Sequence, residues 1–290
     1  MPNLKEIRNR ISSVGSTMQI TSAMKMVSAA KLKRAQDAIT QMRPYAEKLK
    51  EILGNLSASL DLSENALADN RGDGKVLIIA ITSNRGLCGG FNNNIIKQVS
   101  QLMTNEYRKS DVSVLTLGKK AKDAFKRSEV FYTSAATDSV PDIFADLSFE
   151  NTAILAQAAM DSFLNKEFDK VVVVYNSFIN AASQEVKVEQ FLPIVPTTQA
   201  GTTSADYIFE PSKEEIVEEL IPKSLKIQLF KALLDSHASE HGARMTAMHK
   251  ATDNAKDLKR SLTLSYNKAR QAAITNEILE IVGGAEALKG

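Results

Sequence analysis

Two short stretches of the chain carry residue types that could do chemistry. TSNRGLCGGFNN, residues 82–93, holds Gly86, Gly89 and Gly90 with Arg85 and Cys88, the only cysteine present. A turn of this kind between a strand and a helix can bind an anion through backbone N–H groups and the helix N-terminus. The spacing argues against a nucleotide, being G-x-x-G-G rather than G-x-G-x-x-G. No Lys-Ser/Thr pair follows, and the next apolar run ends in LGKK without an acid for a ribose. Cys88 has the chemistry of a nucleophile, but the histidines lie far away in sequence, so a small buried thiol is the plainer reading. The second stretch, HASEH at 237–241, sets His237, Glu240 and His241 on one helical face with the spacing of an inverted zinc-protease motif. Zinc there needs a third ligand and a sheltering cleft; the alternative is a polar helix face. A nucleotide- or metal-dependent enzyme using the Gly86–Gly90 loop or the His237/Glu240/His241 cluster is thus the competing reading, separable by metal analysis and nucleotide titration. A basic stripe, Lys25, Lys31, Lys33 and Arg34, admits a solvated surface, a nucleic-acid contact or an acidic protein partner. No aromatic residue is interleaved before Tyr45, which weakens the nucleic-acid option.

These residues must be positioned by a chain of 290 residues, 43% of them apolar and 24% charged, with a net charge of +2. That composition is ordinary for a globular protein and does not indicate disorder. The charge is uneven: Lys and Arg crowd residues 1–43 and 241–272, while Asp and Glu crowd 205–223. No apolar run approaches the roughly 20 residues that span a bilayer, and the start MPNLKEIRNR lacks the apolar region of a signal peptide. One cysteine leaves no internal disulfide and no multi-cysteine metal site, as expected in a reducing compartment.

The ends of the chain read as rods. Leu4, Ile7, Ile11, Val14 and Met18 alternate by three and four, and the pattern resumes at Met42, Tyr45, Leu49, Ile52 and Leu56. Between them Met24, Val27, Ala30, Ala35 and Ala38 offer small or flexible side chains against which a partner helix could approach closely. The C-terminal seam runs through Leu234, Ala238, Met245, Met248, Thr252, Ala255, Leu262, Tyr266, Ala269 and Ala273. Two such helices, with a domain joining them, can pair antiparallel and cover each other's seams. Gly15 and Gly242 are weak spots of about 1 kcal/mol each relative to alanine. The middle alternates differently: strand 75–82, helix to about 109, strand 111–118, helix 119–127, then helix 151–168, strand 170–178 and an edge-like strand 184–194. That order predicts an open α/β domain of Rossmann-like shape with a parallel sheet. TTQAGTTSAD and Pro211 mark a linker. The expected organisation is an N-terminal helix over 1–60, a globular Rossmann-like α/β domain over 61–212 and a C-terminal helix over 213–290, the two helices forming a long antiparallel coiled coil.

ITSAMKMVSAAKLKRAQ (20–36), SNRGLCGGFNNNI (83–95) and ITNEILEIVGGAEAL (274–288) together resemble the hallmark stretches of the gamma subunit of F-type, bacterial ATP synthases. The last matches the signature I-T-x-E-x-x-[DE]-x-x-x-G-A throughout. The resemblance implies a non-catalytic central stalk, a rotor present in a single copy, whose coiled-coil shaft turns inside a ring of alpha and beta subunits and whose α/β domain touches the epsilon subunit and the membrane ring of c subunits. Rotation would couple proton flow to ATP synthesis or hydrolysis on beta and regulate the ATPase activity, at the cytoplasmic face of the inner membrane. It implies no cofactor, metal, catalytic residue or nucleic-acid partner. By matching motifs, Met24, Lys25 and Met26 resemble the shaft's contact with an acidic lobe of beta, and Arg244, Gln271, Thr275 and Glu277 the polar contacts of the opposing helix. The apolar tip from Ile274 to Leu288 resembles the end that turns in an apolar sleeve. The turn with Arg85, Gly86, Cys88, Gly89 and Gly90 becomes a tight corner near the beta lobes, with Asn84 standing where many relatives carry aspartate.

Overall fold

The computed structural model describes residues 4–59, 65–194 and 213–287. The expected linker, 197–206 with Pro211, lies outside these, as do Leu288 and the side chains of Ile52 and Leu56. Helix α1 (Leu4–Ser59) opens the chain and α6 (Lys213–Ala287) closes it. Internal contacts group the chain into two units, Ala29–Arg244 and Met1–Ser28 with Met245–Gly290.

The unit Ala29–Arg244 is built on a five-stranded sheet in the order β3-β2-β1-β4-β5. Its strands are β1 (Lys75–Ile81), β2 (Asp111–Leu117), β3 (Phe131–Tyr132), β4 (Lys170–Asn180) and β5 (Ser183–Leu192). β1, β2, β3 and β4 run parallel, and β5 is an antiparallel edge on β4. Between strands lie α2 (Phe91–Gln101), α3 (Lys119–Phe125), α4 (Ala135–Ser139) and α5 (Phe149–Leu164). KVLIIAI is apolar at every position after Lys75 because both faces of the sheet are covered, as a parallel sheet requires. Val76, Ile78 and Ala80 join Ile95 and Val99 of α2 and Ala121 and Phe125 of α3 in one core. Leu77, Ile79 and Ile81 join Leu155, Met160 and Phe163 of α5 in the other. The same second core takes Ile221, Leu225, Leu229 and Leu233 from α6, so the early turns of that helix form a layer on the sheet. Spacing by four places those side chains on one helical stripe.

The carboxyl end of β1 is fastened to the start of α3. Ala121 N–H donates to Thr82 Oγ1 at 2.9 Å, Lys120 N–H to Ser83 O at 3.1 Å and Lys119 N–H to Asn84 Oδ1 at 3.0 Å. Gly118 makes this possible: its φ is +107°, and a Cβ there would drive into the Thr82 carbonyl oxygen.

In the unit formed by the two chain ends, α1 and α6 pack antiparallel. Gly15 lies beside Lys259, Thr21 beside Thr252 and Lys25 beside His249, so one numbering rises as the other falls. The expected seam residues Ile7, Met248 and Ala255 are buried. Its middle differs from the expectation: Val27 is 58% exposed and Ala30 is also exposed, while Thr21 and Ser28 are buried. Ser28 donates to Met24 O at 2.8 Å and Thr21 to Met18 O at 3.1 Å, and Thr252 Oγ1 lies 2.8 Å from Thr21 Oγ1. Hydroxyls satisfied on their own helix enter the seam without leaving an unpaired polar group. In the unit Ala29–Arg244, the expected seam residues Ala35 and Leu49 of α1 are buried, Leu32 is buried without having been expected, and Tyr45 is 49% exposed.

Gly118→Ala is expected to destabilise the chain by about 2–3 kcal/mol, a left-handed backbone and a close backbone contact acting together. The check is the urea unfolding midpoint of the purified chain; an unchanged midpoint would contradict the tight β2–α3 corner.

Candidate functional site

The glycine turn and the HASEH segment, far apart in sequence, meet in the unit Ala29–Arg244. Asn92, in the first turn of α2, is buried, and its Oδ1 accepts from Ser83 N–H at 2.9 Å. Its amide donates to Cys88 Sγ at 3.2 Å. Cys88 therefore points inward, 1% exposed, and burial raises its pKa above the ordinary thiol value, both of which work against a thiolate nucleophile. The carbonyl oxygens of Arg85 and Gly86 also point inward, where Arg244 Nη2 donates to them at 3.0 and 3.3 Å. A phosphate cradle converges N–H donors on one point; this turn converges acceptors on a guanidinium. The structure thus answers the nucleotide reading with the opposite polarity.

Arg244 is buried and its other terminal nitrogen meets Glu240 Oε1 at 2.5 Å. Nη1 also lies 3.4 Å from His241 Nδ1. A guanidinium only donates, so Nδ1 of His241 accepts and its proton sits on Nε2. That Nε2–H then donates to Nε2 of His237, 3.1 Å away. His237 stacks on Phe144, with ring centroids 6.2 Å apart and planes 13° from parallel. The expected polar helix face is instead a network in which the buried Glu240, Arg244 and His241 and the half-buried His237 satisfy one another. A metal on the two Nε2 atoms would have to displace the proton that Arg244 places there. Among the described residues no group of three or more His, Cys, Asp or Glu side chains is placed to hold a metal ion.

The same stretch of α6 is tied to the sheet. Ser239 Oγ donates to Asn176 O of β4 at 3.1 Å, and Asn176 Nδ2 donates to Phe91 O at 3.1 Å, at the start of α2. Gly242 lets the helix approach the β4–β5 hairpin, since a Cβ would lie 3.1 Å from Ala181 O. Asn84 bridges outward: its amide donates to Asp142 Oδ1 at 2.6 Å while its oxygen accepts from Lys119. An aspartate at 84 would set two carboxylates against each other, so the amide suits this chain. Nothing in the local sequence signalled the Arg244–turn contact or the Asn84–Asp142 pair.

The remaining expected contact residues lie in the unit of the chain ends. Met24 and Lys25 are half-buried, with Lys25 Nζ 3.4 Å from His249 Nδ1, and Met26 is 65% exposed. Gln271, Thr275 and Glu277 are exposed, as are the apolar Ile274, Ile278, Leu279, Ile281 and Val282.

Burial, reinforced by the nearby cations, lowers His237 to about 4 and His241 to about 3. Unfolded imidazoles take up protons from about pH 6.5 downward while the folded ones refuse them, so their stabilisation is complete above 6.5 and is lost as pH falls toward 4 and then 3. Relative to a His237→Gln/His241→Gln double variant, the native chain should lose about 1.4 kcal/mol per imidazole for each pH unit within that window. Urea unfolding of both proteins at pH 7 and 4.5 tests this; parallel losses would rule out the neutral pair.

Comparison with known proteins places this geometry in a family. The family model described as ATP synthase matches residues 3–288. The chain is 61% identical to the ATP synthase gamma chain of Flavobacterium psychrophilum and 59% identical to that of Christiangramia forsetii, each over the whole of both chains. A central stalk/c-ring structure of the mitochondrial ATP synthase of Tetrahymena thermophila aligns with 80% of this chain and 99% of its own at 26% identity and a TM-score of 0.59. A chain of the Euglena gracilis mitochondrial enzyme shares the fold, covering 98% of this chain and 94% of its own at 20% identity and a TM-score of 0.65. With its paired terminal helices and five-stranded α/β sheet, the chain belongs to the ATP synthase gamma chain family, as a non-catalytic central-stalk rotor subunit.

Proposed function

We propose that residues 1–60 and 213–290 are the shaft of this rotor and 61–212 its globular domain, the shaft turning within a hexamer of alternating alpha and beta subunits. The antiparallel pairing of the two chain ends, with Thr252 against Thr21 and His249 against Lys25, is the observation that carries this reading. The globular domain meets the epsilon subunit and the c-subunit ring, and one copy serves each complex. No described helix is long and apolar enough to cross a membrane. Attachment to the cytoplasmic face of the inner membrane therefore comes through the c ring.

The physics of control needs no active site on this chain. Three identical beta sites differ only if something asymmetric touches them unequally, and a single-copy shaft does so. Each orientation gives each site a different contact free energy, so rotation driven by proton flow alters nucleotide affinity, and the same coupling lets the stalk regulate hydrolysis. Met24, Lys25 and Met26 meet the acidic lobe of beta on one helix; Gln271, Thr275 and Glu277 meet beta from the other. Arg244 serves the same contact from beneath the turn, holding Arg85 and Gly86 toward the beta lobes with Gly89 and Gly90, over the inward-facing Cys88. The exposed apolar tip of α6, from Ile274 to Val282, turns in an apolar sleeve whose contacts have little directionality.

The purified chain is expected to hydrolyse no ATP above background, yet to restore proton-coupled ATP synthesis when combined with alpha, beta, delta, epsilon and the membrane sector. Turnover by the pure chain, or complexes that couple equally well without it, would overturn the proposal.

A further inference from the structure

In the unit of the chain ends, the seam between α1 and α6 is poorly built to fix how far one helix slides along the other. Met18, Met24, Met245 and Met248 are flexible, and Gly15 and Ala255 are small. Such side chains fill space equally well in more than one alignment. A directional contact is buried among them. Thr21 is 8% exposed, and its Oγ1 lies 2.8 Å from Oγ1 of Thr252. Thr21 Oγ1 is also 3.1 Å from Met18 O, and Thr252 Oγ1 is 2.8 Å from Met248 O. Two hydroxyls carry two protons. Either Thr252 donates to Thr21 and Thr21 to Met18 O, or Thr21 donates to Thr252 and Thr252 to Met248 O. Both arrangements place one proton between the helices. The contact of Lys25 with His249, one turn along, is open to water, which competes for it. Slid by one heptad, roughly 10 Å at 1.5 Å per residue, the apolar pattern repeats but the threonine pair does not. In one direction Thr21 meets Met245 and Thr252 meets Val14, so no hydroxyl faces another. In the other, Ser28 comes opposite Thr252, but the ammonium of Lys259 is driven against Thr21 in the seam.

We propose that Thr21 and Thr252 are a positioning pair, whose hydrogen bond fixes the axial register of α1 against α6. That register aligns Met24, Lys25 and Met26 on one helix with Gln271, Thr275 and Glu277 on the other. A polar contact inside an apolar helix seam specifies alignment more than it adds stability, because an apolar pair of the same shape packs as well. The threonines act through those contact residues, so their effect on ATP synthesis rests on the central-stalk reading above, whereas the register itself does not.

The double variant Thr21→Val/Thr252→Val keeps the branched shape and removes both hydroxyls, so the urea midpoint of the purified chain should not fall. Nitroxide labels on Val27→Cys and Leu258→Cys, both exposed positions, read the register in a Cys88→Ala background. The spin–spin distance should be narrow with both threonines and should broaden with both valines toward values up to about 10 Å longer, the rise of one heptad. Thr21→Ser/Thr252→Ser should make it narrow again. In assembled complexes the valine pair should lower the ratio of ATP synthesis to hydrolysis several-fold, and the serine pair should restore it. A distance that stays narrow in the valine pair overturns the register, and a lower midpoint with that unchanged distance marks the bond as structural only. A broadened distance with wild-type coupling overturns the positioning role. Failure of the wild-type chain itself to enter a threefold ring of nucleotide-binding subunits overturns the stalk reading instead, and the distance measurement does not depend on that outcome.

Discussion

A cationic guanidinium has been taken out of water at Arg244, and the neighbourhood is arranged around that constraint. A buried cation is tolerable only with acceptors on its donors, and truncating one partner of such a pair leaves a charge whose desolvation costs about 3–5 kcal/mol. Glu240 supplies the opposite charge, the turn supplies the carbonyls of Arg85 and Gly86, and His241 supplies Nδ1. The tautomer of His241, the acceptor role of His237 and the inward tilt of the turn all follow from this one requirement. Residues that looked like a zinc motif are the insulation of a buried cation.

That network acts on a rigid support because the sheet is closed on both faces. β1 sends alternate side chains into two cores, and α6 forms part of one of them. Ser239, Asn176 and Phe91 then link α6, β4 and the start of α2 through consecutive hydrogen bonds. The turn is thereby referenced to two elements at once: α2, which it begins, and α6, which holds its carbonyls.

Legibility from sequence followed the range of the cause. The long strands and helices of the α/β domain were readable, because periodicity and continuous apolar runs are local signals; β5 declared itself by its alternation. β3, two residues long, and the five-residue α4 were not, since elements so short have no period to detect. The terminal helices were legible, but the middle of their seam was misplaced. Apolarity pointed to Val27 and Ala30, whereas Thr21 and Ser28 occupy the contact with hydroxyls already satisfied on their own helix. Burial at the HASEH segment was invisible for a different reason: it depends on carbonyls at Arg85 and Gly86, 159 and 158 residues away from Arg244.

The burial of Cys88 has a practical consequence for anyone who labels this rotor. The only native sulfhydryl is packed under the turn against Asn92 and Ser83, with its ionisation suppressed. Alkylating dyes and spin probes need an ionised, accessible sulfur. Burial thus sets Cys88 apart from a cysteine introduced on an exposed face of the shaft or the globular domain, which would present an accessible sulfur to the same reagents.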